Sequence, residues 1–217
     1  IVLGRAFVSL TLSRHNRAYM TDLVDAEVAQ YPGFLRDGDR QSIFAQLRDT
    51  TPWEQHVVHL FGQSHPAPRL SAWHGDPGTT YTYSGLQLSP QPWTPQLDRM
   101  RQRVSTLTSK PFNSALLNYY RDGSDGMGWH SDDEPELGRD PCIASLSLGS
   151  ERRFLLRHKT QSNLPTCEYL LGDGDLLIMD GKTQHHWKHQ IPKTRRPVGP
   201  RINITFRYVH VTRNQET

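Results

Sequence analysis

After Lys110 the chain reads as a succession of short strand-like segments, and this pattern constrains the fold more than any other feature. The segments are 114–120, 143–148, 153–158, 168–171, 175–179 and 201–209. Turn formers punctuate them: Asp122-Gly123, Gly149-Ser150 and Gly172-Asp173-Gly174. Short strands at such spacing predict a closed or double-sheet antiparallel fold, a sandwich or jelly roll. A jelly roll can hold a metal between its sheets, but fold alone assigns no chemistry.

The first half is mixed. Asp39 is placed to cap a helix whose inward face carries Ile43, Phe44 and Leu47 and which ends before Thr51-Pro52. A second helix begins with Thr94 as N-cap and Pro95 in its first turn, with Leu97, Met100, Val104 and Leu107 at helical spacing. Between them lies a Gly/Pro/Ser-rich stretch, 62–92, with a strand-like aromatic centre, Tyr81-Thr82-Tyr83. No internal repeat or low-complexity tract interrupts the chain. The expected fold class is α+β, a jelly-roll core preceded by N-terminal helices.

Composition narrows the function classes without choosing one. At 217 residues the chain fits one domain with an extension. No apolar run approaches the roughly 20 residues that span a bilayer. The first twelve residues are apolar but contain Arg5 and lead to no small-residue cleavage site, so no secretory signal is expected. Two cysteines, Cys142 and Cys167, are too few for a disulfide framework and favour a reducing, intracellular setting. That means the cytoplasm, or the nucleus in a eukaryote. A net charge of +3 permits nucleic-acid binding without demonstrating it. Eleven histidines direct attention to metal chemistry.

The sharpest local motif is His130-Ser131-Asp132. In a strand, residues two apart share a face, so an imidazole and a carboxylate would converge. Alone, H-x-D is a weak signal and needs a third ligand. His185, His186 and His189 each offer one, and spacing does not choose among them. Two histidines and one carboxylate form a facial triad that leaves iron open positions. A hydrolytic zinc site could use the same set.

The discriminating feature is Arg201-Ile202-Asn203-Ile204-Thr205-Phe206-Arg207. Read as a strand, it puts Ile202, Ile204 and Phe206 on a core face and Arg201, Asn203, Thr205 and Arg207 on the other. Two buried guanidiniums need an anionic partner. Their planar donors match carboxylates, so a dicarboxylate would satisfy both.

These residues resemble the AlkB family of nucleic-acid dealkylases, most of all its animal duplex-DNA-repair branch. The resemblance runs through Leu60-Phe61-Gly62, Thr80-Tyr81-Thr82-Tyr83-Ser84-Gly85, Asn118-Tyr119-Tyr120, His130-Ser131-Asp132-Asp133-Glu134, Ser145-Leu146-Ser147-Leu148-Gly149, His186-Trp187-Lys188-His189 and 200–207. It covers roughly 59–209; residues 1 to about 45 show no such match. It implies a double-stranded β-helix with a nucleotide-recognition lid, divided as an N-terminal extension and lid (1–110) and a catalytic core (111–217) within one dioxygenase domain. It implies His130, Asp132 and His189 as ligands of Fe(II). It implies Asn118, Tyr120, Arg201, Asn203, Thr205 and Arg207 as the pocket for 2-oxoglutarate, the cosubstrate used with O2.

The implied reaction removes a methyl group from 1-methyladenine or 3-methylcytosine in DNA and releases formaldehyde, succinate and carbon dioxide. The expected partner is alkylated DNA, single- or double-stranded, with RNA the alternative; no membrane is involved and the chain acts as a monomer. A base inside a duplex must be flipped out to be reached. Tyr83 matches the aromatic that stacks on that base, and a cationic base over a ring gains ~0.5–2 kcal/mol. Tyr81 would line the site, and Asp133 and Glu134 would add negative charge beside it. Phe61 corresponds to an apolar finger that fills the gap left by the flipped base. Lys193, Arg195 and Arg196 form a basic loop suited to phosphates. Three rivals remain: the same oxygenase chemistry on RNA or a protein side chain, a cupin-like module that holds metal without turnover, and a zinc hydrolase. The arginine-bearing strand argues against the last two, since neither uses a dicarboxylate clamp. If Phe61 is the finger, Phe61→Ala lowers repair of duplex oligonucleotides more than of single strands; equal losses would make it merely structural.

Overall fold

A computed structural model describes residues 8–13, 16–36, 38–60, 62–79, 81–83, 86–88 and 90–210, with backbone alone at 8–13, 16–17, 59–60, 81–83 and 86–88. Phe61 lies outside these residues, and so do the side chains of Tyr81 and Tyr83.

Both expected helices form. In α1 (Arg40–Thr50) Asp39 occupies the N-cap position, but its side chain makes no capping bond. Its backbone is already helical (φ −95°, ψ −28°), and its carbonyl accepts from Ile43 N–H and the Ser42 hydroxyl, both at 2.8 Å. The helix stops where Thr51 turns extended, as a residue preceding proline must. In α2 (Pro95–Thr108) Thr94 Oγ1 accepts from Leu97 N–H at 3.2 Å, so the capping threonine acts as its type predicts. Among the described residues no helix is long and apolar enough to cross a membrane.

The strands in chain order are β1 (Val8–Ser13), β2 (Asn16–Leu23), β3 (Ala26–Tyr31), β4 (Val57–Leu60), β5 (Gln63–Pro66), β6 (Leu70–Gly75), β7 (Tyr81–Tyr83), β8 (Leu86–Leu88), β9 (Ser114–Tyr120), β10 (Met127–His130), β11 (Ile143–Gly149), β12 (Arg152–His158), β13 (Cys167–Leu171), β14 (Leu176–Asp180), β15 (Trp187–Ile191) and β16 (Arg201–Arg207). A third helix, α3 (Thr183–His186), is a single turn. The larger sheet runs β1-β2-β3-β14-β11-β16-β9-β6 and the smaller runs β10-β15-β12-β13, each paired antiparallel throughout. Two hairpins, β4-β5 and β7-β8, stand apart. Thus β3 and β6, both before residue 110, belong to the larger sheet. The six expected strands are all present. The last ends at Arg207 rather than residue 209, because Asn113 takes over Val209: its Oδ1 accepts from Val209 N–H (2.7 Å) and its Nδ2 donates to Val209 C=O (2.8 Å).

Three layers result. Ile202, Ile204 and Phe206 of β16, with Ala144, Leu146 and Leu148 of β11, pack outward onto Ile43 and Leu47 of α1 and Leu97, Met100 and Val104 of α2. A second core lies between the sheets, built by Tyr120, Ile143, Leu177 and Met179 against Phe154, Leu156, Trp187 and Ile191. The larger sheet is therefore covered on both faces, and β16 is buried at all seven residues. Its polar row faces the smaller sheet. Leu97 is fully buried in the outer core, so Leu97→Ala should cost about 2–5 kcal/mol of unfolding free energy. Chemical denaturation checks this; a loss under about 1 kcal/mol would mean α2 is not packed on β16 as described.

Candidate active site

The site is assembled where the two sheets face each other, and cross-strand register does most of the work. His130, at the end of β10, is the Cα partner of His189 in β15. Partners across a ladder project to one side, which brings the two rings to a centroid separation of 4.1 Å. His189 is thereby the downstream histidine that meets His130; His185 instead contacts Asp140, and His186 stacks on His158. Asp132 joins differently from what strand parity predicts. It lies beyond the end of β10, in the following loop. Gln184 Oε1 accepts its N–H at 2.9 Å, and Arg207 Nη2 donates to its Oδ1 at 2.9 Å. Its carboxylate therefore arrives from the loop, steered by α3 and β16.

One ligand atom from each of His130, Asp132 and His189 lies within 4.8 Å of the others. His130 Nδ1 is 2.9 Å from the Gly128 carbonyl. A carbonyl can only accept, so Nδ1 carries the proton and Nε2, 3.8 Å from Asp132 Oδ1, keeps its lone pair for a metal. Burial first, then His130 and Arg207, push the His189 pKa down to about 3, with Asp132 opposing; the ring is neutral, as a ligand must be. Burial alone would raise the Asp132 carboxyl, but neighbouring positive charge, Arg207 foremost, more than offsets it and holds it below the ordinary range. Two imidazoles and a carboxylate form a donor set that fits a divalent iron.

A second cluster, Asp25, His158 and His186, brings its ligand atoms equally close. Its chemistry differs. His158 Nδ1 accepts backbone N–H from Thr160 (3.3 Å) and Gln161 (2.9 Å), so the ring proton sits on Nε2, facing Asp25 Oδ2 at 3.8 Å. A nitrogen carrying its proton donates rather than ligates. This cluster reads as a carboxylate–imidazole contact.

A cavity is lined by the three clustered residues and by Asn118, Tyr120, Arg201, Asn203, Thr205 and Arg207. Arg201 is 1% exposed. Its Nη2 donates to Ser147 Oγ (2.9 Å), and its guanidinium lies over the Tyr120 ring at 5.4 Å. Nε and Nη1 are buried without a hydrogen-bond partner. Burial pushes its pKa down to about 10, with Arg152 adding to the fall and Tyr120 opposing it, so it stays charged at neutral pH. A buried cation with two idle donors calls for an anion. Asn203 and Thr205 are engaged otherwise: Asn203 Nδ2 donates to Ser145 Oγ (2.8 Å) and Leu146 C=O (3.1 Å), and its Oδ1 accepts from Thr205 (2.9 Å). They keep the polar wall self-satisfied.

Other expected residues lie outside this cavity. Asp133 is exposed and bonds Lys159 Nζ at 2.7 Å, so much of its charge is already matched; Glu134 is half-buried beside it. Lys193, Arg195 and Arg196 are exposed on the segment between β15 and β16, where Arg152 holds the Pro192 carbonyl at 2.8 Å. Sequence reasoning assigned no role to Gln184, which bonds the Asp132 backbone, or to the cavity-lining Ser145, Met127, Phe154 and Met179. Gln184 carries no sequence signal, since α3 is too short to show a period.

Comparison with known proteins agrees with this geometry. Residues 27–207 match the model of the 2OG-Fe(II) oxygenase superfamily, starting upstream of residue 59, where the motif resemblance begins. The chain is 41% identical over 193 residues to the alpha-ketoglutarate-dependent dioxygenase alkB homolog 3 of Mus musculus, covering 85% of this chain and 67% of that protein. It is 44% identical over 166 residues to the DNA oxidative demethylase ALKBH2 of Bos taurus, covering 74% of this chain and 60% of that one. The chain thus spans about two thirds of the length of these relatives. The solved structure of OsALKBH1 superposes with a TM-score of 0.62 at 19% identity, covering 86% of this chain and 100% of that one, which supports the fold. The chain belongs to the 2OG-Fe(II) oxygenase superfamily, in its AlkB branch, and is a dioxygenase that works with Fe(II), 2-oxoglutarate and O2.

Proposed function

We propose that this protein oxidatively demethylates alkylated bases in nucleic acid, 1-methyladenine and 3-methylcytosine in DNA foremost, releasing formaldehyde, succinate and carbon dioxide. The observation that carries the reading is the shared cavity, in which the His130, Asp132 and His189 cluster faces the idle donors of Arg201. In this reading His130, Asp132 and His189 hold the metal. Bound iron, with 2-oxoglutarate and O2, supplies the oxidant that attacks an N-methyl group.

The protein's part is to bind, orient and exclude water. Arg201 pairs with the far carboxylate of 2-oxoglutarate, beneath the Tyr120 ring. Arg207 keeps Asp132 ionised and aimed at the metal. Asn203 and Thr205 complete the wall, and Asn118 presents its amide to the ligand. Leu116, Met127, Phe154, Met179 and Ile191 make most of the remaining lining apolar, which strengthens the charge interactions inside. A second cavity shares Leu116, Asn118 and Arg207 with the first and adds Ala72 and Trp73. Its contact with the metal site suits a flipped base. Tyr81, Tyr83 and Glu134 contact that base, Asp133 contributes less because Lys159 matches it, and Phe61 fills the duplex gap. Lys193, Arg195 and Arg196 meet backbone phosphates. Residues 1–110 supply the extension and lid, and 111–217 the catalytic core. The printed names of the relatives, a dioxygenase and a DNA oxidative demethylase, support the substrate class.

The test is formaldehyde and succinate release from single-stranded DNA, duplex DNA and RNA carrying 1-methyladenine, with Fe(II) and 2-oxoglutarate. Both products are expected from DNA, and none from His130→Ala or Asp132→Ala, each still folded. Arg201→Ala should raise the 2-oxoglutarate requirement at least tenfold, about the loss of one charged hydrogen bond. No formaldehyde from any methylated nucleic acid, or undiminished turnover in either ligand variant, would overturn the reading; formaldehyde from RNA alone would move the substrate.

A further inference from the structure

Asn118 is 5% exposed at the centre of β9 and lines both cavities. Its side chain has two ends of nearly equal shape and opposite chemistry, a carbonyl that accepts and an amide that donates. Which end faces the metal cavity decides what that wall offers a ligand. Arg69, 5% exposed and just ahead of β6, fixes the choice: its Nε donates to Asn118 Oδ1 at 3.0 Å. A guanidinium has no acceptor, so the carbonyl end must point at Arg69 and the NH₂ end is left for the cavity. None of the described residues takes a hydrogen bond from that NH₂ group. The other cavity amide, Asn203, is spent on Ser145 and Leu146. Of the two, Asn118 is the one able to donate to a ligand.

We infer that Arg69 is a positioning residue for the cosubstrate: by holding the Asn118 carbonyl it presents the Asn118 NH₂ to an acceptor-only acid in the metal cavity. This rests on the proposed 2-oxoglutarate pocket. A carboxylate or keto oxygen only accepts, so the reversed amide would set one acceptor against another and weaken binding. Because Arg69 also lines the second cavity, a residue in the substrate wall sets the donor in the cosubstrate wall.

The test is 2-oxoglutarate affinity without turnover, by calorimetry on the Mn(II)-loaded protein without oxygen, beside Mn(II) affinity and thermal midpoint. Arg69→Met and Asn118→Ala should each weaken 2-oxoglutarate about tenfold, the scale of one hydrogen bond to a charged acceptor. The double variant should be no weaker than Asn118→Ala, since one residue acts through the other. Mn(II) affinity should hold in all three. Arg69→Lys, which retains a donor, should recover part of the loss. Should Arg69→Met not fold, Asn118→Asp decides: it must weaken binding more than Asn118→Ala, because it places an acceptor where the amide donates. Additive losses in the double variant, unchanged binding in Arg69→Met, or an Asn118→Asp no weaker than Asn118→Ala would each overturn the inference. Arg201→Met separates the levels. If it and Asn118→Ala both leave binding unchanged, the pocket reading itself falls; if both weaken it and Arg69→Met does not, this inference alone falls.

Discussion

Burying two guanidinium groups between two sheets is the constraint around which this site is arranged. Strand β16 is covered along its whole length, so Arg201 and Arg207 are almost wholly withdrawn from water. An unpaired charge in such a place would be strongly destabilising. Arg207 is compensated inside the protein by Asp132, at 2.9 Å. Arg201 is compensated in part, by Ser147 and the Tyr120 ring, and keeps two donors idle. In the proposed function that asymmetry divides the labour: one arginine prepares a metal ligand, and the other awaits an anion.

The same strand links the cores to the chemistry. Its apolar residues are clamped onto α1 and α2, and its polar ones are paired in register with β9 and β11. Asn203 faces Asn118 across one ladder and Ser147 across the other, so the cavity wall is a patch of a packed sheet. The opposite wall brings His130 and His189 as ladder partners. Loops contribute where precision comes from hydrogen bonds instead, as with Asp132, held by Gln184 and Arg207.

Much of this was legible in the sequence because alternation records two environments at once. The pattern of β16 told both its core face and its polar face, and the Thr94-Pro95 start of α2 told its own cap. Other parts were hidden for identifiable reasons. Asp132 sits past its strand, so it meets His130 by a geometry other than the one parity predicts. The choice of His189 came from family resemblance, because ladder register between distant strands leaves no local trace. Strand β15 does alternate, burying Trp187, His189 and Ile191, but its histidines drew attention away from that period. Strand β3 buries only Val28 and Ala29 fully, too faint a signature to read. Arg69 carried no signal, since its meaning lies in a contact with a residue 49 positions away.

The central claim is that the His130–Asp132–His189 cluster and the idle donors of Arg201 serve one bound molecule. Adding 2-oxoglutarate to the Fe(II)-loaded protein without oxygen, and following the visible charge-transfer absorption of a keto acid on iron, tests it most directly. The account predicts an absorption that saturates at one 2-oxoglutarate per protein, and that Arg201→Met forms only at much higher concentration. Absence of the absorption at saturating cosubstrate, or an identical titration in Arg201→Met, would contradict it.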